Sequence, residues 1–391
     1  MTPYSSLFYF LVLIALLVPM TMSGLRGRAG GFWVLVAMAV MLPLQYWKPL
    51  QVTEAVMVPE IVALAAFALY QWGLVRLAFQ SKGGARAWWL IPLALLPLVV
   101  ARLSSSGPLH FQFGFSGISY VTFRALDVCW TITDGLVAEV GVLDLWVFLF
   151  FFPTISSGPI DRFKRFRAEW RRQRTKDEFL DDLGAGVHAV IRGLFYKHII
   201  AALIGQHVLG HSAEQPGLYG VMEYSVVYSA YLFFDFAGYS AFAVGVSRWF
   251  GIKTMENFAQ PWAAPNIKEF WNRWHISLSL WFRDHVYMRF LLMAVRRKWF
   301  RSRLVASCVA LYISFGLMGV WHGLSPHFII YGLYHATLLS GYECYLAWKK
   351  KRGVPPQPSS RMERCTGIAL TIAAVAFGFW IFSGNGIVSA K

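Results

Sequence analysis

The chain has 391 residues, of which 57% are hydrophobic and only 14% are charged, and its formal net charge is +16. A soluble globular chain carries about 25% charged residues, so this composition excludes a soluble protein. It indicates an all-α polytopic membrane protein, because helices satisfy their own backbone polar groups in lipid. The apolar stretches leave no room for a separate soluble domain, so we expect one integral-membrane domain over residues 1–391.

Ten apolar stretches recur along the chain, at lengths near the roughly 20 residues that cross a bilayer as a helix. In chain order they are residues 7–22, 31–45, 55–78, 88–103, 143–155, 187–204, 221–250, 304–321, 328–346 and 366–382. Several are short for a full crossing, which favours tilted or re-entrant helices. We therefore expect about 10–12 membrane helices, some of them short.

Basic residues cluster in the loops between these stretches. No Lys or Arg precedes the first stretch, whereas Arg26 and Arg28 follow it, and residues 82–86 and 162–176 are also basic. The positive-inside rule predicts that these loops lie in the cytoplasm and that the N-terminus lies outside. A further basic run occupies residues 296–303.

Two explanations fit this loop charge. One is membrane topology together with attraction to anionic lipid headgroups. The other is a docking surface for an acidic soluble partner, since complementary potentials steer encounter. Nucleic acid is not expected as a partner, because the chain has no soluble basic domain to bind it.

Residues 270–289 combine three tryptophans, three arginines, two histidines and an aspartate inside a membrane-like chain. Ionisable groups are costly in an apolar environment, so their presence suggests function. His275 and His322 each directly follow a tryptophan. A neutral imidazole, with a usual pKa of about 6.5, can take a proton from an attacking hydroxyl. The alternative is a structural histidine bonded to a backbone carbonyl, and that role is expected for the other eight histidines.

Other catalytic signatures are missing from the sequence. The run nearest to a Gly-x-Ser-x-Gly elbow, residues 114–118, fails at its last position, which is Ile118. The four cysteines form no CxxC pair, and no cysteine or histidine spacing points to zinc. We therefore expect no metal site. A transporter that uses the same histidines as a proton relay is the alternative from a different class of function.

Residues 270–289, together with Trp321, His322 and Gly323, resemble the membrane-bound O-acyltransferase (MBOAT) family. The resemblance implies a helical bundle around a central tunnel. It also implies that His322 is the catalytic histidine and that His275 occupies the family's second polar position.

Three further stretches resemble the D-alanyl-transferring DltB branch of that family, namely residues 151–163, 235–240 and 251–258. The sister branch, the alginate-type O-acetyltransferases, usually has a Pro-Leu-Gly-Gly-Asn run in the region that here begins at Met288. This chain lacks that run and reads Ser-Ser-Gly-Pro-Ile-Asp at residues 156–161. Both differences favour D-alanine, with polysaccharide O-acetylation as the alternative.

The resemblance implies a donor, an acceptor and partners. The donor is D-alanine held as a thioester on the phosphopantetheine of a small acidic carrier protein, which docks from the cytoplasm. The acceptor is a hydroxyl of teichoic acid or another cell-envelope polymer, reached with small membrane-anchored partners of the D-alanylation pathway. The phosphopantetheine belongs to the carrier, so no tightly bound cofactor is expected in this chain.

The ammonium of D-alanine needs a carboxylate or an aromatic face, because an unpaired charge in low dielectric is strongly unfavourable. The candidates for the substrate tunnel are Trp271, Trp274, Trp321, Asp235 and Asn272. For Asp235 a structural ion pair is the alternative. Carrier docking needs an apolar centre with a positive rim. Its candidates are Met288, Leu291, Leu292, Arg296, Arg297 and Arg303.

Overall fold

The computed structural model describes residues 4, 6–27, 30–46, 56–80, 89–105, 111–355 and 360–385. In this part of the chain the regular structure is helical, apart from two short strands that pair in parallel, β1 (Val56–Met57) and β2 (Phe111–Gln112). The predicted all-α class is confirmed. Arg28 and the basic loop at residues 82–86, which entered the topology prediction, lie outside the described residues.

Seventeen α-helices follow one another in the described ranges. They are α1 (Leu7–Leu25), α2 (Gly31–Tyr46), α3 (Glu60–Gln80), α4 (Leu90–Ser105), α5 (Ile118–Thr133), α6 (Val142–Phe150), α7 (Phe163–Arg171), α8 (Lys176–Leu194), α9 (Ala202–Ile204), α10 (Gly210–Glu214), α11 (Gly217–Trp249), α12 (Ile267–Trp271), α13 (Ile276–Phe282), α14 (Met288–Arg296), α15 (Arg303–His322), α16 (Pro326–Lys351) and α17 (Arg361–Ser383).

Six of the described helical segments are long and apolar enough to cross a membrane. They are Leu7–Leu25, Glu60–Gln80, Lys176–Glu214, Gly217–Trp249, Arg303–His322 and Arg361–Ser383. Three shorter apolar segments accompany them, at Gly31–Tyr46, Leu90–Ser104 and Val142–Thr154. The polytopic membrane architecture is thus confirmed, while the total of 10–12 embedded helices and the central tunnel remain predictions.

The predicted stretch at residues 187–204 is the middle of a longer segment. The whole segment, Lys176–Glu214, is 39 residues long. The π-helical turns Phe195–Ala201 and Gly205–Leu209 join α8, α9 and α10 within it. Such turns insert extra residues without ending the helix, so a hydropathy window cannot detect the continuation.

Helix α5 was not among the stretches predicted from the sequence. It is buried on nearly all sides, and Arg124 at its middle is only 1% exposed. The Arg124 guanidinium donates to the carbonyl oxygens of Phe148 and Leu149, both at 3.1 Å, and to the hydroxyl of Thr154 at 2.6 Å. A buried cation satisfied by carbonyls lowers the hydropathy of a segment without making it a loop.

The described residues form two compact units. The first comprises Met1–Gly193 and Tyr239–Met255, and the second comprises Leu194–Gly238 and Glu256–Lys391. All residues predicted for the tunnel, for catalysis and for carrier docking belong to the second unit. The single domain expected over residues 1–391 remains a prediction.

In the second unit, α15 and α16 pack so closely that side chains are excluded from their crossing. A Cβ added at Gly319 would lie 2.5 Å from the carbonyl oxygen of Phe328, and one added at Gly332 would meet the carbonyl of Phe315. Small residues allow such backbone contact between membrane helices. The crossing brings the C-terminal end of α15 beside the first turns of α16.

Side-chain caps define where the helices around the site begin. Asn266 accepts from the backbone N–H of Glu269 at 2.9 Å and starts α12. Ser302 caps α15, and Ser360 caps α17 through the N–H of Glu363. Each cap satisfies a backbone donor that the helix itself leaves free.

Candidate active site

His275 precedes helix α13 in an unusual backbone conformation. Its φ is 44° and its ψ is 51°, which lies in the left-handed region. Histidine enters this region more readily than most residues with a Cβ, but holding it there costs about 1–3 kcal/mol. Conformations of this kind persist only where the surroundings fix them, and they are common at active sites.

A short antiparallel pairing, which we call the clasp, fixes this histidine. Residues 257–259 pair with residues 273–277. The carbonyl oxygen of Asn257 accepts from the N–H of Ile276 at 3.0 Å. Its side-chain Oδ1 accepts from the hydroxyl of Ser277 at 2.6 Å. Two of the stretches that resemble the family therefore meet in the structure.

The imidazole of His275 is buried but has no hydrogen-bond partner among the described residues. Its exposed fraction is 5%, and both Nδ1 and Nε2 are unpaired. The edge of the Phe236 ring lies against it, with centroids 4.7 Å apart. Buried polar groups are nearly always bonded, so two unpaired nitrogens on one ring point to a ligand or water at this position.

Burial also keeps this imidazole neutral. His275 lies outside the six candidate spans, and burial lowers its pKa from 6.5 to about 3. The nearby His322 lowers the pKa further, since two like charges oppose each other. The two predicted catalytic histidines therefore lie within electrostatic range of one another.

His322 is the last residue of α15 and lies in an aromatic enclosure. The ring centroids of Trp321 and Phe382 are 4.6 Å and 4.9 Å from its imidazole. Phe328 and Tyr331, both on α16, lie at 6.1 Å and 6.3 Å. The enclosure combines residues from α15, α16 and α17, so it depends on the close α15–α16 crossing.

A third histidine belongs to this aromatic region and was missed from the sequence. His335 is fully buried on α16, and its ring lies 4.7 Å from that of Tyr331. Its Nδ1 accepts from the indole N–H of Trp271 at 3.3 Å. A structural role was expected for it from the sequence. Its position four residues after Tyr331, on the same helix face, is the local signal that could have indicated its contact with that ring.

Trp271 also borders a cavity of about 320 Å³ in the second unit. The cavity is lined by Phe315, Met318 and other apolar groups, with polar groups at Lys268 and Arg283. Lys268 pairs with Glu343 at 2.8 Å, and Arg283 pairs with Asp284. The lining thus combines an aromatic wall with charged groups, which suits an amphipathic molecule.

Trp274 belongs to a different wall. It is 6% exposed and stacks on Phe270 at 5.7 Å, with Phe379 at 4.8 Å on another side. All three rings border a second cavity, of about 360 Å³ and almost wholly apolar. The three predicted tryptophans therefore occupy separate places: Trp271 beside His335, Trp274 in the clasp and Trp321 beside His322.

The two polar tunnel candidates have partners of their own. Asp235 forms an ion pair with Lys197, the alternative considered from the sequence. Asp235 directly precedes Phe236, whose ring contacts His275. Asn272 is exposed, borders the 320 Å³ cavity and lies 3.4 Å from Glu269. Their roles toward substrate remain predictions.

The predicted docking surface on α14 requires one correction. Leu291 is 6% exposed and packs with Ala294, Ala306 and Ala310, so its prediction as part of an exposed patch is wrong. The amphipathic helix turns this side toward α15. Met288 and Leu292 are exposed at 37% and 48%, and their role in docking remains a prediction.

The arginines at the end of α14 and just after it carry positive charge that no acid offsets in the described structure. Arg296, Arg297 and Arg303 are all exposed, and none forms an ion pair with an acid in the described ranges. The guanidinium of Arg297 lies over the ring of Trp299, 6.0 Å from its centroid. We call Met288, Leu292 and these three arginines the α14 surface.

The basic segment at residues 162–176 differs from the α14 surface. Many of its basic side chains are paired with acids of the first unit, which cancels much of the local field. The pairs are Arg162–Asp127, Arg165–Asp161, Arg171–Asp144, Arg172–Glu178 and Arg174–Glu169.

Residues 32–354 match the family described as MBOAT, membrane-bound O-acyltransferase family. The chain belongs to this family. It is an acyltransferase that passes through the membrane several times, in agreement with its six candidate spans. Among the residues that the structure describes, no group of three His, Cys, Asp or Glu side chains could hold a metal ion.

Two of the named relatives are similar to this chain over nearly its whole length. It is 39% identical to the teichoic acid D-alanyltransferase of Bacillus subtilis (strain 168), with 98% of each chain aligned. It is 33% identical to the protein of the same name from Lacticaseibacillus rhamnosus, over 98% of this chain and 97% of that one. A probable alginate O-acetylase of Pseudomonas syringae pv. tomato is 30% identical, over 69% of this chain and 49% of its own length.

Proposed function

We propose that this MBOAT protein transfers D-alanine from a carrier-protein thioester to a hydroxyl of a teichoic-acid-type envelope polymer. The observation that carries the proposal is the buried imidazole of His275, which has unpaired nitrogens and lies within electrostatic range of His322. The names and near-complete coverage of two relatives support D-alanine and teichoic acid as substrates.

In this mechanism His322 is the general base. Its neutral imidazole takes the proton of the acceptor hydroxyl as the oxygen attacks the thioester carbonyl. A carbon–oxygen bond forms, the carbon–sulfur bond breaks, and the imidazolium returns its proton to the leaving thiolate. General-base help of this kind contributes roughly 10²–10⁴ in rate. The C-terminal end of α15 carries partial negative charge, which favours the transient imidazolium.

His275 has a different task in this mechanism. A neutral imidazole has one N–H donor and one acceptor nitrogen. With its pKa lowered to about 3, His275 stays neutral at physiological pH. It therefore orients the thioester carbonyl or the acceptor hydroxyl by a hydrogen bond rather than by charge.

The 320 Å³ cavity is the proposed path of the carrier's phosphopantetheine. That arm is an extended amphipathic chain with a phosphate at one end. The cavity is lined by Lys268 and Arg283, each of which also pairs with an acid, and by an apolar wall that includes Trp271. In this proposal the arm enters with the carrier and leaves with it, so the chain itself keeps no cofactor.

The α14 surface is the proposed docking site of the acidic carrier, on the cytoplasmic side. Its apolar residues Met288 and Leu292 are exposed, and Met288 also borders the 320 Å³ cavity. Its arginines have no acidic partner in the described structure, whereas many in segment 162–176 do. Unpaired charge around an apolar centre is the pattern that attracts an acidic partner.

The ammonium of the alanyl group is proposed to rest against aromatic faces. Asp235 is less suited to this task than the sequence suggested, because its carboxylate already pairs with Lys197. Trp271, Trp274 and Trp321 are the aromatic residues proposed for this task, and Trp271 borders the 320 Å³ cavity. Cation–π contacts of this type strengthen when the site excludes water.

The test is reconstitution in liposomes with the acceptor polymer and two carriers, one loaded with D-alanine and one with acetate. We expect D-alanine to appear on the polymer and acetate to remain on its carrier, with no transfer by His322→Ala. Preferential transfer of acetate would overturn the D-alanyl assignment and favour polysaccharide O-acetylation. Transfer from neither carrier by a folded protein would overturn the carrier-linked donor.

A further inference from the structure

The stretch at residues 251–258 takes no part in the chemistry above, yet its Asn257 is 1% exposed. This asparagine forms three hydrogen bonds with the two residues that follow His275. Its carbonyl oxygen accepts from Ile276, and its Oδ1 accepts from both the N–H of Ser277 at 3.3 Å and the hydroxyl of that residue.

These bonds take the place of a normal helix cap. The residue before a helix usually accepts one of the first free N–H groups with its own side chain. Here His275 holds the N-cap position of α13, and its side chain makes no cap hydrogen bond. Asn257, which is distant in sequence, satisfies the N–H groups of Ile276 and Ser277 instead.

Because Asn257 caps α13 in place of His275, the hydrogen-bonding state of the His275 imidazole changes. An imidazole that capped α13 would be turned back onto the backbone, and one of its nitrogens would be occupied. Because Asn257 does the capping, both nitrogens of His275 are left without a partner in the described structure. The same bonds hold the left-handed backbone that aims the ring.

We propose that Asn257 is a positioning residue for acyl transfer. It keeps His275 in the left-handed conformation and relieves its imidazole of the capping role. The inference rests on the proposed function, because it requires His275 to act on the substrate. Asn257 itself does not touch the reacting groups.

The test compares steady-state transfer by Asn257→Ala, Asn257→Asp and Ser277→Ala. A misplacement of about 1 Å can cost roughly 10² in rate, so we expect kcat of Asn257→Ala to fall about 100-fold with KM little changed. The aspartate variant keeps an accepting oxygen and should recover most of the loss. Ser247→Ala is the matched control, since that serine is also fully buried and donates one hydroxyl bond, to Ala243.

A double variant separates positioning from simple stability. If Asn257 acts through His275, removing both side chains should lower kcat/KM no further than His275→Ala alone. Multiplicative losses, or a loss in Asn257→Ala that appears only in KM, would overturn the inference. Full activity of His275→Ala would instead overturn the proposed role of His275. Should Asn257→Ala not fold, Ser277→Ala, which removes the hydroxyl bond to Asn257, is compared with His275→Ala in the same way and should lower kcat in the same direction.

Discussion

The indole N–H of Trp271 donates to Nδ1 of His335 across 3.3 Å, and both side chains are buried. The bond joins α12 to α16 and fixes which nitrogen of His335 is the acceptor. It also orients the indole ring that borders the 320 Å³ cavity. This hydrogen bond therefore links the packing of α12 against α16 to the shape of the cavity that is the proposed path of the donor.

Trp271→Phe should keep an aromatic ring at this position while removing the N–H donor and part of the buried ring. The buried Nδ1 of His335 would then lose its partner, at a cost of about 1–3 kcal/mol. We expect a lower melting temperature in detergent. Trp262→Phe is the control, because Trp262 is 51% exposed in the same unit. Equal melting temperatures for the two variants would contradict the prediction.

His322→Ala should abolish transfer while expression, detergent stability and carrier binding stay near wild type. The loss follows from removal of the general base, which is worth roughly 10²–10⁴ in rate. Transfer is measured with D-alanyl carrier in liposomes. His211→Ala, at an exposed histidine bonded to Gln215, should leave transfer unchanged. Substantial activity of His322→Ala would remove the assignment.

Charge reversal at Arg297 or Arg303 should weaken binding of the loaded carrier, and rising salt should weaken wild-type binding. Both follow because these arginines have no acidic partner in the described structure, so their field reaches an approaching protein. Affinity is measured by titration in detergent. Lys349→Glu, at a basic helix end elsewhere, is the control. Unchanged affinity in both tests would move the docking site to segment 162–176.

Acid should destabilise the protein partly through His275. Burial lowers the pKa of this group from 6.5 to about 3, so between those values the unfolded chain binds a proton that the folded chain does not. The contribution of a neutral His275 to stability is complete above pH 6.5 and is lost as pH falls toward 3.

His275→Asn should therefore flatten the fall in melting temperature between pH 7 and about pH 4, relative to wild type. Asparagine tolerates the left-handed backbone, so the two melting curves should differ through the lost imidazole and not through backbone strain. His211→Asn, at an exposed site, should follow the wild-type curve. Parallel curves for all three proteins would show that His275 is not the group concerned.

Much of the helical pattern could be predicted from hydropathy. The stretches expected at residues 304–321 and 366–382 are α15 and α17 with slightly longer ends. Hydropathy failed at α5, where Arg124 is buried and bonded to carbonyls. It also could not register the π-helical turns that join α8 to α10, because a turn type leaves no trace in mean hydropathy.

Residues of the candidate site could be predicted only where their chemistry is visible in the local sequence. His275 and His322 follow tryptophans and lie within motifs, so the sequence singled them out. The bond from Trp271 to His335 and the capping of α13 by Asn257 join residues far apart in the chain, and no local pattern encodes them. Leu291 shows a different limit. The sequence of an amphipathic helix does not indicate whether a given apolar residue packs inside the protein or lies on its surface, and Leu291 packs inside.

The crossing of α15 and α16 has a consequence for how variation at this enzyme should be interpreted. Gly319 and Gly332 have no side chain at the crossing, and this sets the distance between the helix that ends in His322 and the helix that carries His335. A single methyl group at either glycine would widen that gap and shift one histidine against the other. Under the proposed mechanism, such a variant would alter only the packing of two helices, yet it would lower turnover because it moves His322.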